Sequence, residues 1–439
     1  MSNLSKFAVL ATLLVAAPML VQAAGFALVE QNASRLGNAY AGGAAESDDA
    51  SVIFFNPAGM TYLEGRQVSV SGLVFLPKVE FNNGVSTSVV GTPMTGDNGG
   101  SAASKSLIPN FYYVDSLGSG LKYGFAVTAP AGVQIKYDTN WVGRYYSTGS
   151  SLAVINFSPA LASRLGPATS VGVALDIQYA HAKLSKAIDF GSLCLANAPA
   201  AICSSQGLVP QQADGTANVS GHDWAVGYHL GIQHELTADT RVGLLYRSKV
   251  SHNMDATATF SNVPSLMAAG FQTTGARTEI TLPEMVSLSG MHALTPALTL
   301  LGDASWTRWS RFNELKISFA NPPPSGDDIT MEEWKDSWRY SLGANYQASS
   351  SLMWRLGLAH DQGPIPEGRR TPAIPDGTRN SLAIGANYKL SKSGSLDIAY
   401  SHLFIPNGSV SLSSPLQGTL QGNYTSLADI VALQFNCTF

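Results

Sequence analysis

The stretch WAVGYHLGIQHEL, residues 224–236, decides the fold class of this chain. Large apolar side chains occupy every second position from Trp224 to Ile232, with glycine, alanine or polar residues between them. A period of two predicts a β-strand with one apolar face. The run is long for a strand of a soluble sheet, but its length suits a tilted crossing of a lipid bilayer.

Runs of the same kind recur along the chain, for example at 338–346 and 382–390, and we count about fourteen of them. Short and long connections alternate between the runs, and the long ones include residues 184–222 and 406–426. Bacterial outer-membrane barrels have an even number of strands, short periplasmic turns and long outer loops. The sequence therefore predicts an all-β fold, a transmembrane antiparallel β-barrel of about fourteen strands over residues 66–439.

The composition agrees with a barrel and argues against other classes of protein. Charged residues make up 13% of the chain, against ~25% in soluble domains, and the mean hydropathy of +0.07 is too low for a bundle of membrane helices. The net charge of −4 gives no indication of nucleic acid as a partner. In a barrel only alternate residues face lipid, which produces this intermediate composition.

The two ends of the chain indicate export to the bacterial outer membrane. Lys6 precedes the apolar run 7–20, and Val21-Gln22-Ala23 fits a cleavage site, so we predict a signal peptide over residues 1–23. The alternative, a retained membrane anchor, is less favoured because a helical span needs ~18–20 apolar residues. At the other end, residues 431–439 alternate up to a terminal Phe439, which resembles the recognition signal of outer-membrane barrels.

Residues 24–65 lack sustained alternation and are rich in glycine, alanine and short polar residues. Roughly forty residues are too few to fold alone, and a barrel of this width leaves a lumen to fill. A disordered periplasmic tail is the alternative, but the apolar cluster 52–55 and Met60 argue against it. We therefore predict an N-terminal hatch, or plug, inside the barrel.

The sequence shows no convincing catalytic, metal or cofactor site. No GxSxG, HExxH, GxGxxG or Walker-type motif is present, so we expect a protein that is not an enzyme. The pair Asp48-Asp49 more often caps a turn than binds a metal ion. Cys194 and Cys203 lie in one long outer loop and are expected to form a disulfide in an oxidising compartment, which leaves Cys437 over.

An ordered set of short segments resembles one family of outer-membrane proteins. The matching segments are Ala24-Gly25-Phe26, residues 37–42, the hatch motif Asn56-Pro57-Ala58, Leu282-Pro283-Glu284-Met285, residues 309–316, Trp334-Lys335-Asp336 and residues 363–379. On these segments the chain resembles the FadL/TodX family, outer-membrane transporters of long-chain fatty acids and aromatic hydrocarbons. The likeness covers nearly all of the mature chain, and it implies a monomeric fourteen-stranded barrel with a hatch in its lumen.

The resemblance also implies a transport route. Ligand binds in a groove among the outer loops, moves to an inner pocket, and leaves after the hatch rearranges, through a gap in the wall at a kink in the third strand. Ala129-Pro130-Ala131-Gly132 interrupts the alternation of the third predicted strand, because proline lacks a ladder donor and glycine permits an unusual backbone. The alternative is that the strand simply ends there.

By position, the resemblance implies a set of ligand-binding residues. Ala182 and Leu184 would contact hydrocarbon, Lys186 would bind a carboxylate headgroup, Leu315-Lys316 would supply a second cation, and Phe26 would cap the pocket. Arginine can stand at the place of Lys186 in the family, so the charge is kept but the planar guanidinium is lost. From the residues alone, each lysine reads equally as an ordinary solvated charge.

The resulting hypothesis is outer-membrane transport of long-chain fatty acids. Uptake of aromatic hydrocarbons or alkanes by the same route is the alternative, and a passive porin or an outer-membrane lipid hydrolase ranks below both. The expected partners are a hydrophobic small molecule and the surrounding outer-membrane lipid and lipopolysaccharide, with no nucleic acid and no cofactor.

Overall fold

The computed structural model describes residues 25–118 and 120–439. The predicted signal peptide, residues 1–23, and Ala24 lie outside the described residues. Among the described residues, no helix is both long and apolar enough to cross a membrane.

One sheet contains all eighteen strand segments that are described. They are β1 (Gln67–Asn83), β2 (Ser106–Gly118), β3 (Leu121–Lys136), β4 (Gly149–Arg164), β5 (Thr169–Asp189), β6 (Asp214–Thr237), β7 (Thr240–Arg247), β8 (Val250–Ser261), β9 (Thr274–Leu282), β10 (Met285–Thr295), β11 (Leu298–Thr307), β12 (Glu314–Phe319), β13 (Asp328–Met331), β14 (Ser337–Gln347), β15 (Leu352–Asp361), β16 (Arg379–Lys389), β17 (Gly394–Ser414) and β18 (Gly418–Thr438). The helices are α1 (Ala33–Leu36), α2 (Val52–Phe55), α3 (Phe190–Asn197) and α4 (Ala200–Ser205), with 3₁₀ turns at Pro57–Tyr62, Ser265–Gly270 and Trp309–Arg311.

The sheet closes into a barrel because β1 pairs antiparallel with both β2 and β18. Four crossings consist of two segments each, namely β7 with β8, β9 with β10, β11 with β12, and β13 with β14. The eighteen segments therefore make fourteen crossings, and the predicted fold class and strand number are confirmed. A closed sheet leaves no unpaired edge, as a membrane requires.

The two faces of the strands differ as the period of two predicted. On β6, Val226, Tyr228, Leu230 and Ile232 are exposed on the outside of the barrel, whereas His229 and Gln233 on the opposite face are buried inside. Exposed apolar side chains repeat in this way around the wall, which gives the lipid-facing band of a membrane barrel.

Several strands are longer than the sequence predicted. Residues 184–222 and 406–426 were expected to be long connections, but β5 runs to Asp189, β6 starts at Asp214, and β17 and β18 meet in a short turn at 415–417. These extensions project beyond the lipid-facing band, so their outward side chains need not be apolar. The alternation therefore disappears from the sequence while the hydrogen-bonded ladder continues.

The segment before β1 packs against the inner face of the barrel. Asn56 of the Asn56-Pro57-Ala58 motif accepts a hydrogen bond from the Ala58 N–H (3.1 Å) and donates from Nδ2 to the carbonyls of Ala44 (2.7 Å) and Ile232 (3.0 Å). Gly231 makes this approach possible, because a Cβ there would clash with the Asn56 amide. The motif thus caps the turn that follows it and ties the segment to β6.

A buried polar cluster attaches α2 to the wall. His229 contacts the Asp176 carboxylate (2.9 Å) and the Ile53 carbonyl (2.8 Å), and Arg247 donates to Asp176 (3.3 Å) and to the Phe54 carbonyl (2.8 Å). Buried charges are tolerated only when they are paired and hydrogen bonded. The cluster supplies both conditions and fixes the position of α2 against β5, β6 and β7.

Replacing Asp176 with alanine should lower the free energy of unfolding by about 3–5 kcal/mol, because Arg247 would stay buried without its carboxylate. The measurement is a urea titration of protein folded into lipid vesicles, followed by tryptophan fluorescence. Asp255→Ala is the matched control, since Asp255 pairs with Arg277 where both side chains are 83% exposed. The control should cost less than ~1 kcal/mol, and an equally small cost for Asp176→Ala would contradict the prediction.

Candidate functional site

A groove opens among the outer connections of the barrel, with a volume of about 550 Å³. Its apolar lining comes from several strand ends and loops, and includes Leu184, Ile188, Phe260, Phe271, Ile317, Phe319, Ile329 and Leu412. Lys186 lies in the wall of the groove, where its Nζ is 2.6 Å from the Asp328 carboxylate. The groove therefore combines an apolar surface with two cations that are already paired, the partly buried Lys186 and the more exposed Arg369, whose partner is Glu333.

A loop closed by a disulfide lies beside this groove. The sulfurs of Cys194 in α3 and Cys203 in α4 are bonded, and both residues pack with Leu208 in a small apolar cluster. Cys437 is free and half-buried in β18. The disulfide ties α3 to α4, and Leu193 of α3 contributes to the groove.

A second, smaller cavity of about 50 Å³ lies deeper in the barrel. Its lining is almost entirely apolar and includes Phe26, Leu152, Ala182, Met254, Ile280, Phe312 and Ile374. Because a water molecule occupies about 30 Å³ of liquid, this space cannot hold a long hydrocarbon chain unless side chains move. Leu184, Val219 and Ala373 line both the groove and the inner cavity, so the two spaces adjoin at these side chains.

The Phe26 side chain forms part of the wall of the inner cavity. Its ring makes edge-to-face contacts with Trp309 (4.8 Å between centroids) and Phe312 (5.3 Å), and lies 5.5 Å from Trp334. Only glycine fits beside it at position 25, where φ is +65° and a Cβ would lie 2.6 Å from the Trp334 ring. Three of the segments that carry the family resemblance, at 24–26, 309–316 and 334–336, thus meet around one buried aromatic cluster.

The backbone of the same N-terminal residues pairs with the irregular part of β3. The Phe26 carbonyl accepts from the Gly132 N–H (2.8 Å), and the Leu28 N–H donates to the Pro130 carbonyl (2.8 Å). Gln31 adds a side-chain hydrogen bond from Nε2 to the Ala129 carbonyl (2.8 Å). The residues expected to form the kink, 129–132, are therefore all held by the segment that precedes β1.

β3 is paired differently along its two edges. On the β4 side the register shifts between Thr128 and Ala131, so β3 carries one extra residue there. On the β2 side the pairing extends only from Leu121 to Val127. Beyond Val127, residues 26–28 and then Ala102-Ala103 of the β1–β2 connection take the place of β2. The wall between β2 and β3 is thus closed by segments that are not themselves barrel strands.

The structure does not bring the two predicted cations together. Lys316 lies on the outward side of β12, 3.4 Å from Asp327, and lines a cleft in the outer wall rather than the groove. The pKa of Asp327 is lowered by the hydrogen bonds it accepts from the Ser318 hydroxyl and the Phe319 N–H, and by Lys316. Leu315, one position before, faces inward and packs against the cluster that contains Phe26.

Sequence reasoning did not find some residues that shape this site. Asp328, the partner of Lys186, was missed because the two residues lie 142 positions apart in the chain and meet only in the folded barrel. Phe260 and Phe271, whose rings pack edge to face in the wall of the groove (5.5 Å between centroids), lie in segments without alternation. Asp376 accepts a hydrogen bond from the Gly25 N–H (2.6 Å), and its membership of the matching segment 363–379 was the only available signal.

Comparisons with known proteins agree with this architecture. The family model described as outer membrane protein transport protein (OMPP1/FadL/TodX) matches residues 14–439. A putative outer membrane protein of Neisseria meningitidis serogroup B is 30% identical, with 95% of each chain covered. The long-chain fatty acid transport protein of Escherichia coli K12 is 29% identical, with 87% of each chain covered.

Among solved structures, a Pseudomonas aeruginosa FadL homologue superposes with a TM-score of 0.85 at 22% identity, covering 95% of this chain and 100% of its own. At that identity the likeness shows the fold alone. The family model and the Neisseria relative extend over nearly the whole chain, which excludes a chance match to one segment. The chain therefore belongs to the OMPP1/FadL/TodX family of outer-membrane transport proteins and is a transporter, not an enzyme.

Proposed function

We propose that this protein carries long-chain fatty acids across the outer membrane, from the outer groove to the inner cavity and then sideways through the wall between β2 and β3. The observation that carries the proposal is the continuity of the groove and the cavity. The groove holds Lys186, and Leu184, two residues before it, lines both spaces. A cation at the mouth of an apolar passage fits a carboxylate with a hydrocarbon tail. The 29% identity with a protein named for this transport supports the same substrate class.

The energetics favour a chain of apolar sites over an open pore. Each CH₂ group removed from water contributes about 0.8 kcal/mol, so a sixteen-carbon tail gains on the order of 10 kcal/mol by burial. A water-filled channel would forfeit that gain at every step. Successive apolar cavities keep it, and a sideways exit returns the tail to lipid without exposing it to water.

The exit step depends on the residues that close the β2–β3 opening. Phe26 borders the inner cavity through its side chain and holds Gly132 of β3 through its carbonyl. Ligand that enlarges the inner cavity must move the Phe26 ring, and the same movement withdraws the backbone that fills the wall. We propose that this coupling makes ligand entry open the exit. A third cavity, lined by Ala27, Leu28 and Pro130, lies next to the opening and offers space for that movement.

Uptake of labelled oleate by cells that lack their own transporter tests the substrate and the cation together. Lys186→Ala should lower the affinity for oleate by about tenfold, because a hydrogen bond to a charged group contributes about 1.5–3 kcal/mol and Asp328 already satisfies part of it. Lys78→Ala is the matched control, since Lys78 is an exposed lysine that pairs with Glu80 and lines neither the groove nor the inner cavity. Its affinity for oleate should stay within about twofold.

Labelled toluene in parallel separates fatty acids from uncharged hydrocarbons. Toluene uptake should be small and insensitive to both lysines, because it has no carboxylate to bind. Toluene uptake without oleate uptake would contradict the proposal and assign the passage to hydrocarbons. Oleate uptake with equal losses in both lysine variants would retain the substrate but remove the headgroup role from Lys186.

A further inference from the structure

The barrel wall is interrupted a second time, away from the β2–β3 opening. β9 pairs with β12 from Ala276 to Thr278, and β10 pairs with β11 from Met285 onward. Between these ladders, residues 279–283 face residues 309–316 with no strand pairing described. At the end nearer β10, the Arg308 N–H donates to the Glu284 carbonyl (3.0 Å), and Arg311 pairs with the Glu284 carboxylate. The segment between β11 and β12 leaves the line of the strands, because Trp309–Arg311 forms a 3₁₀ turn and Phe312 points inward.

A cleft of about 670 Å³ occupies this interruption on the outside of the barrel. Its rim carries exposed side chains of both signs, among them Asp255, Arg277, Glu279 and Lys316. These residues alternate along their strands with side chains that are buried in the core, so they face outward. The cleft is therefore open to the surroundings of the barrel rather than to its lumen.

The floor of the cleft is also the side wall of the inner cavity. Met254, Thr278 and Phe312 line both spaces. Met254 and Phe312 are only 1% and 4% exposed, and the Phe312 ring lies 5.3 Å from that of Phe26. Side chains alone separate the two spaces at this point, because the backbone ladder is missing there.

The height of the cleft on the barrel indicates what can reach it. Toward the periplasm on β10 and β11, Leu288 and Leu300 are exposed in the apolar band. The outward-facing residues on the cleft side of that band are Thr281, Glu279 and Arg277, and all three are polar. A change from apolar to charged residues marks the level where lipid tails give way to headgroups. The cleft thus opens at the headgroup level of the outer leaflet.

We propose that this cleft is a side entrance, through which a single-tailed anionic amphiphile already inserted in the outer leaflet passes its tail into the inner cavity. The proposal rests on the proposed function, since the molecule that enters is the transported fatty acid. Arg277 and Lys316 at the rim, which pair with Asp255 (3.1 Å) and Asp327 (3.4 Å), supply positive charge for its carboxylate. Rotation of Phe312 opens the floor to its tail. The tail passes from lipid into apolar protein while the headgroup stays at the polar rim. This entrance therefore avoids the aqueous step that the outer groove requires.

A bulky group placed on the rim tests the entrance without touching the inner cavity. In a Cys437→Ser background, Glu279→Cys is labelled on cells with a large, membrane-impermeant maleimide, and the initial rate of oleate uptake is measured. Glu279 lines the cleft but not the groove or the inner cavity. Thr257→Cys is the control, since Thr257 is exposed on β8, two residues beyond Asp255, and does not line the cleft.

Labelling of Glu279→Cys should lower oleate uptake at least threefold, and labelling of Thr257→Cys should leave it unchanged. An unchanged rate after complete labelling of Glu279→Cys, verified by mass spectrometry, would overturn the entrance and leave the outer groove as the route. Equal losses at both positions would also overturn it, because they would show obstruction unrelated to the cleft. Absence of uptake before labelling would instead contradict the proposed function, and the entrance with it.

Discussion

Joining the N-terminal segment to β3 by a disulfide should stop oleate uptake, and a reducing agent should restore it. The proposed exit requires residues 26–28 to leave the edge of β3 that they now occupy. A covalent link across that pair prevents the movement without adding bulk to the passage. We expect the oxidised protein to take up oleate at less than a tenth of the rate of the reduced protein, because every transported molecule must pass the same opening.

The pair Ala27 and Ala131 is well placed for this link. The two residues form an antiparallel bridge, flanked by the hydrogen bonds from Leu28 to Pro130 and from Gly132 to Phe26. They are therefore a non-hydrogen-bonded pair, whose Cα atoms lie about 4.5 Å apart. That distance is within the range of about 4.4–6.8 Å that disulfides span. Ala27→Cys/Ala131→Cys in a Cys437→Ser background should oxidise without distorting the strand.

The control is a disulfide between two residues that the proposed movement does not separate. Leu121 and Ser163 are partners in the β3–β4 ladder near the periplasmic end of the barrel, and nothing in the proposed route separates them. Leu121→Cys/Ser163→Cys should transport oleate equally in its oxidised and reduced forms. Full uptake by the oxidised Ala27→Cys/Ala131→Cys protein would show that the segment does not move during transport.

The fold could be predicted from the sequence because lipid imposes a strict pattern on the strands that cross it. Each crossing must present apolar side chains outward at every second position, as residues 224–236 do, and counting such runs gave the observed number of crossings. The pattern fails where lipid ends. The outer parts of β5, β6, β17 and β18 lie beyond the lipid-facing band, where outward side chains need not be apolar, so the period of two did not predict that these strands continue.

The site was less predictable, because its contacts join residues that are distant in the chain. The resemblance placed Phe26 and Trp309 in one family pattern, but their edge-to-face contact depends on the inward turn at Trp309–Arg311. The same turn breaks the crossing that contains Lys316, and this lysine consequently faces the outer cleft. An interrupted strand cannot be extrapolated by counting residues, so a prediction from position alone could not place Lys316.

Deleting Pro130 should close the proposed exit by repairing β3. Between Thr128, which pairs with Asn156, and Ala131, which pairs with Val154, β3 has two residues where β4 has one. Removing one of the two makes the strands equal in length and removes the residue that lacks a ladder donor. β3 can then continue its ladder with β2 beyond Val127, and we expect oleate uptake to fall at least tenfold.

A second variant distinguishes the effect of the proline from the effect of the extra residue. Pro130→Ala keeps the bulge and restores only the N–H group, so its oleate uptake should stay within about twofold of the parent protein. Both proteins must remain folded barrels. This is checked by comparing the gel migration of unheated and heated samples of each protein, because only a folded barrel changes its migration on heating. A folded deletion variant with full uptake would show that hydrocarbon does not leave between β2 and β3. A loss that appears equally in Pro130→Ala would attribute the opening to the missing donor instead of the extra residue, since a single N–H would then suffice to seal the wall.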